Sequence, residues 1–203
     1  MKQDSLTLFD SDFKQVENLK WLPWVGNGYI NLNPNRKLLL IGESHYAIGE
    51  DELSLKKDID RQDPPGFTRK VINEMAIDQN YYATKIFQNT HKLILGERFK
   101  NSEKFWERVC FCNLIQRPME CLLKKEKITQ KNKIIKRERP SRRDYRLAWN
   151  VFVDLIKIME PDLCIVLTTS SADHFNNVIK KRGLKFEPVK RHKKIGGAYE
   201  KSA

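Results

Sequence analysis

At 203 residues the chain is long enough for one domain with a sizeable core, and a globule of this size buries roughly 70% of its unfolded surface. Hydrophobic residues at 40% and charged residues at 32% exclude wholesale disorder, and no window approaches 18 consecutive apolar residues, which argues against a membrane span. The net charge of +12 is concentrated, with +8 falling on residues 117–146 and +7 on residues 180–203.

The first 30 residues carry acids where a signal peptide needs an apolar run. Four cysteines are too few for a disulfide scaffold. The expectation is a reduced, cytoplasmic, single-domain protein. Lys37 to Ile41 is a short apolar run closed by Gly42, the form of a strand buried on both faces. Residues 50–66 are charged, end in Pro64-Pro65-Gly66 and read as a surface connection. Phe67 to Leu95 reads as helix, with Val71, Met75 and Ile86 among its apolar positions and Gly96 as its stop. After a helical turn at 102–108, Val109 to Ile115 is a second apolar strand that ends before Pro118.

The lysine-rich stretch 124–139 reads either as a flexible, solvated loop or as half of a cationic surface suited to a polyanion. Asp144 to Met159 has apolar residues at Leu147, Val151, Leu155 and Ile158, widened by Trp149, Phe152 and Ile156, with Ser141 placed to cap the helix. Leu163 to Leu167 is a third buried strand, and a helix follows it to Lys181, stopped by Gly183. Apolar strands alternating with helices predict a mostly parallel central sheet with helices on both faces.

Ligands in open α/β sheets sit at the carboxyl ends of the strands. Here those ends are polar: Gly42-Glu43-Ser44-His45-Tyr46, Asn113 with Gln116, and Thr168 to Ser171. The run KLLLIGESHY resembles the first motif of the uracil-DNA glycosylase superfamily, in which a strand enters Gly-Gln-Asp-Pro-Tyr or Gly-Glu-x-Pro-Gly. FCNLIQRP resembles that family's second strand, RPSRRDYRLAWNVFVDLIKIMEPDLCIVL its Arg-Pro segment, helix and following strand, and SSADHF the next helix start. These pieces cover about 37–183 in the family's order.

The resemblance implies a three-layer α/β/α fold and a nucleic acid partner, DNA ahead of RNA. It implies no metal or cofactor. The base would be flipped into a pocket bounded by Gly42, Tyr46, Phe67 and Asn113, with Asn113 offering a donor and an acceptor to a uracil-like edge. Ser44 stands where the family often has its water-activating aspartate, so hydrolysis of the N-glycosidic bond would fall to Glu43 or Glu50. His192, without the family's following proline, would stabilise the leaving anion. Arg142, Arg143, Lys190, Arg191, Lys193 and Lys194 would hold the nucleic-acid backbone. Two alternatives stay open. One is a member of the fold that binds without cutting. The other is a small-molecule hydrolase using Glu43 and His45, because a Gly-Glu-x-x-His-like opening after a strand also resembles erythromycin-esterase-type sites.

Overall fold

The computed structural model describes residues 5–33, 36–78, 85–96, 102–125, 132–168 and 172–183. The chain has a mixed α/β architecture. Strands β1 (Trp24–Val25), β2 (Leu38–Gly42), β4 (Val109–Asn113) and β7 (Leu163–Val166) form one sheet in the order β1-β4-β2-β7. The last three are mutually parallel and β1 is antiparallel to β4, so the sheet is mixed. A second sheet, not expected from the sequence, has the order β3-β5-β6 from β3 (Tyr46–Gly49), β5 (Met119–Lys125) and β6 (Asn132–Arg137).

Side chains alternate along the strands of the first sheet, and a core lies on each face. Leu39, Ile41, Cys110 and Cys112 face Phe13, Tyr29 and the helices α6 (Arg142–Met159) and α7 (Ala172–Lys181). Leu40, Val109 and Phe111 face Trp21, Trp24, Trp106, the helix α3 (Phe67–Val71) and Phe87. Phe87 belongs to α4 (Lys85–Leu95), and Trp106 ends α5 (Ser102–Trp106).

Helix α6 begins where the sequence predicts. Ser141 accepts from the Asp144 N–H at 3.2 Å and the Asp144 carboxylate accepts from the Ser141 N–H at 2.8 Å, a reciprocal cap. Such a cap contributes about 1 kcal/mol, whereas each large side chain buried on the stripe contributes roughly 1.5–3. Packing therefore makes the helix and the cap only fixes its start. The stripe is carried by Trp149, Val151, Phe152 and Leu155, while Leu147 turns outward, 41% exposed. Helix α7 ends as expected before Gly183, whose φ of +64° is left-handed.

Four expectations need correction. Residues 50–66 contain the helix α2 (Glu52–Arg61), capped by Asp51 and Ser54. Its burial rests on Leu55 alone, too little for a visible apolar stripe. The helix expected over 67–95 is not continuous, because α3 passes into a π-turn at Ile72–Ile77 before α4 begins. The lysine-rich stretch is not a loop along its described length: it forms the antiparallel pair β5–β6. Finally, β7 is half-exposed rather than buried, because among the described residues it is the edge of its sheet. The remaining helix, α1 (Asp10–Phe13), is a single turn that sends Phe13 into the core.

Candidate functional site

Strand β2 ends at Gly42, and the chain crosses to the second sheet through Glu43, Ser44 and His45 before entering β3 at Tyr46. Gly42 lies beside Asn113 in the β2–β4 register, and the chain beyond Asn113 stays bound to this crossing, with Leu114 N–H on Gly42 O at 2.9 Å and Ile115 N–H on Glu43 O at 2.8 Å. A cleft of about 770 Å³ opens at these strand ends, as expected for an α/β sheet. Glu43, Tyr46, Phe67, Asn113, Arg137 and Thr168 are among the residues that line it.

Glu43 is the hub of the polar wall. Its Oε2 accepts from Tyr46 Oη at 3.0 Å, and its Oε1 accepts from Tyr145 Oη and Thr168 Oγ1, both at 3.1 Å. Tyr145 comes from the first turns of α6 and Thr168 from just past β7, so three elements fix one carboxylate. Partial burial and the Glu43 carboxylate push the Tyr46 phenol above its ordinary value. Ser44 Oγ donates to the His45 carbonyl at 3.1 Å, so no carboxylate stands at the position the resemblance assigns to water activation.

His45 takes a separate direction. It is buried, edge-on to Trp21 and Phe67 with ring centroids 4.8 Å from each, and its Nε2 shares a hydrogen bond of 2.9 Å with Thr68 Oγ1. Its hydrogen bond is with Thr68 and those of Glu43 are with three hydroxyls, which does not favour a hydrolytic Glu43–His45 pair. Burial pushes the imidazole down to about 3. The folded value lies below that of an unfolded histidine, so the unfolded chain takes up the proton first. The stability is fully present above about pH 6.5 and falls below it, by up to about 1.4 kcal/mol per pH unit for this group. Urea unfolding at pH 7.5 and 5.5 should show this loss in the parent and a smaller one in His45→Gln. Equal losses would place the acid sensitivity elsewhere.

Asn113 is 5% exposed, and its side-chain amide has no hydrogen-bond partner among the described residues. Its backbone carbonyl accepts from Gln116 Nε2 at 2.6 Å, and Gln116 Oε1 in turn accepts from the Trp21 N–H at 3.0 Å. The N-terminal segment is thereby tied to the end of β4, and Trp21 backs His45 and Phe67. Phe67 opens α3 directly after the Pro64-Pro65-Gly66 turn and is 6% exposed, with the Arg61 guanidinium 5.8 Å from its ring centroid.

The sequence candidates Gly42, Glu43, Ser44, Tyr46, Phe67 and Asn113 thus come together at one place. Glu50 does not join them. It is exposed at the head of α2, its N–H donating to Ser54 Oγ at 3.0 Å, and does not line the cleft. Arg142 and Arg143 are exposed in the first turn of α6. His192, Lys190, Arg191, Lys193 and Lys194 lie outside the described residues. Sequence reasoning missed Tyr145, Arg137, Arg139 and Gln62, the last donating to Tyr46 O at 3.1 Å from the cleft wall. The alternation of Arg137 and Arg139 about Glu138 was the available signal for the two arginines; nothing local marks Tyr145.

Among the described residues no helix is long and apolar enough to cross a membrane, and no group of three His, Cys, Asp or Glu side chains is placed to hold a metal. Compared with protein-family models, with curated proteins and with solved structures, the chain finds no match in any of the three.

Proposed function

We propose that this chain binds nucleic acid and receives one extruded, uracil-like base in the cleft at the ends of β2 and β4. The fold proposed with it is a uracil-DNA-glycosylase-like three-layer arrangement. The mutually parallel β4, β2 and β7, with a core on each face of their sheet, support that reading.

The observation that carries the function is Asn113. Its amide has no protein partner among the described residues and its polar atoms are not sealed from solvent, so a donor and an acceptor stand open to a ligand in the cleft. The edge of a uracil presents the complementary acceptor and donor side by side. Phe67, in the same cleft, supplies an aromatic surface of the kind on which bases stack. Recognition is favoured over hydrolysis, because Ser44 offers no carboxylate and both Glu43 oxygens already accept hydroxyl hydrogen bonds.

Binding of a labelled single strand with one uracil, compared with the same strand carrying an abasic site there, tests this. The parent should bind the uracil strand more tightly. Asn113→Ala should weaken that binding about tenfold while leaving the abasic strand unaffected, since phosphate contacts position and base contacts specify. A parent that does not distinguish the two strands would remove the reading.

A further inference from the structure

Between residues 132 and 143 the chain has six cationic side chains and one acid, Glu138. Extended backbone sends successive side chains to opposite sides, and here it separates the charges. Glu138 continues the β5–β6 ladder by one bond, its N–H donating to Glu120 O at 2.8 Å. Its carboxylate is engaged, accepting from Arg117 Nη2 at 2.7 Å and from the Glu120 N–H at 3.0 Å. Arg137 and Arg139, on either side of it in sequence, both line the cleft.

Neither arginine is spent on a carboxylate hydrogen bond. The Arg137 guanidinium carbon lies 4.2 Å from the centroid of the Tyr46 ring, so its contact in the cleft is with the Tyr46 side chain and not with a carboxylate. The Arg139 side chain is 66% exposed, and the carboxylate it approaches is Glu43, at 4.0 Å, beyond hydrogen-bond distance. Glu43 is itself committed to three hydroxyls. Arg61, also on the cleft wall, is by contrast paired with Asp58 at 2.6 Å.

We propose that Arg137 and Arg139 form a phosphate subsite at the mouth of the cleft, so that the ligand is a nucleotide unit whose phosphate sits beside the recognised base. The planar fork of five donors fits a phosphate better than a point charge does, and two forks at one rim reach several of its oxygens. This deepens the base-binding reading and rests on it for the base, though not for the phosphate.

Calorimetric titration with uridine, uridine 3′-monophosphate, uridine 5′-monophosphate and ribose 5-phosphate at low salt separates the two. At least one nucleotide should bind the parent about tenfold more tightly than uridine. Arg139→Gln should narrow that gap, and the double variant with Arg137→Gln should close it. Asn113→Ala should weaken uridine and nucleotide together and keep their ratio. Arg139→Gln changes an exposed side chain, so it keeps the test readable if Arg137→Gln disturbs Tyr46. Equal binding of uridine and both nucleotides by the parent, or a gap that survives in the double variant, overturns the subsite while the base reading stands. If uridine fails to bind but ribose 5-phosphate binds in an Arg139-dependent way, the subsite stands and the base reading falls. No binding of any of the four ligands overturns both.

Discussion

Alanine at Gly42 should abolish base-dependent binding and lower the melting temperature by about 4–12 °C. A Cβ there would lie 2.3 Å from Asn113 Oδ1 and 2.9 Å from Phe111 Cζ. The requirement is for space, because the Gly42 φ lies outside the left-handed region. Phe111 cannot yield easily: it is 2% exposed and packs against both Phe87 and Trp106, with ring centroids 5.8 and 6.1 Å away. The Asn113 amide must therefore swing aside, and on the proposed reading recognition of the base is lost with it. Overpacking of this kind costs about 2–3 kcal/mol, and in a chain of this size each kcal/mol moves the melting temperature by about 2–4 °C. Binding of the uracil and abasic strands, with thermal unfolding alongside, reads both effects. The same substitution made with Asn113→Ser in place should cost less than in the parent, since the clashing oxygen is shorter-reaching. A Gly42→Ala protein that still prefers the uracil strand would show that Asn113 does not read the base.

Removing the carboxylate of Asp144 should cost about 3 kcal/mol. Arg117 donates to it from both Nε and Nη2 at 2.9 Å, and its Oδ2 also accepts from Ser141 N and Ser141 Oγ at 2.8 Å. One side chain thus closes the start of α6 and joins it to the segment leading into β5. The estimate combines a lost cap with a lost charge-assisted pair, at a side chain only 15% exposed. The guanidinium of Arg117 holds the Asp144 carboxyl well below its usual range. A depressed folded value means that the stabilisation is present above the unfolded value, near pH 4, and is lost as the pH falls further. Urea unfolding at pH 7 should show Asp144→Ala as clearly less stable than the parent, with the difference shrinking toward pH 3. Asp144→Asn retains an acceptor for Ser141 and should lose less. Equal midpoints for parent and Asp144→Ala at pH 7 would reduce the network to surface decoration. Tyr145, the next residue, holds Glu43, so the loss should also loosen the cleft wall.

What could be read in the sequence follows from where burial is strong. Leu38–Gly42 and Val109–Asn113 are strands packed on both faces, and α6 buries a broad stripe, so apolar runs and helical spacing marked them. Helix α2 and strand β6 lack that signal. One buries a single leucine, and the other exposes both Ile134 and Ile135 amid lysines. Their order comes from local capping and from pairing with a neighbouring strand, which a residue-by-residue reading does not see. In the site, the strand-end rule located Gly42 to Tyr46, Asn113 and Thr168, because their positions follow from the sheet. Tyr145 and Trp21 reach the same place only through tertiary packing, from 102 residues after Glu43 and from 95 residues before Gln116.

The last of these distances also sets an order of events during synthesis. Strand β1 pairs with β4, the Trp24 indole N–H donates to Trp106 O across 82 residues, and Trp21 is held by Gln116 across 95. The segment that leaves the ribosome first cannot dock until those later residues have been made. At about 5–20 residues per second that is a delay of roughly 4–20 s. For that interval two tryptophans that end fully buried are in water, and the floor beneath His45 and Phe67 is missing. The cleft is therefore among the last parts of the protein to form, and a chain released before residue 116 would lack the tie between Trp21 and the end of β4.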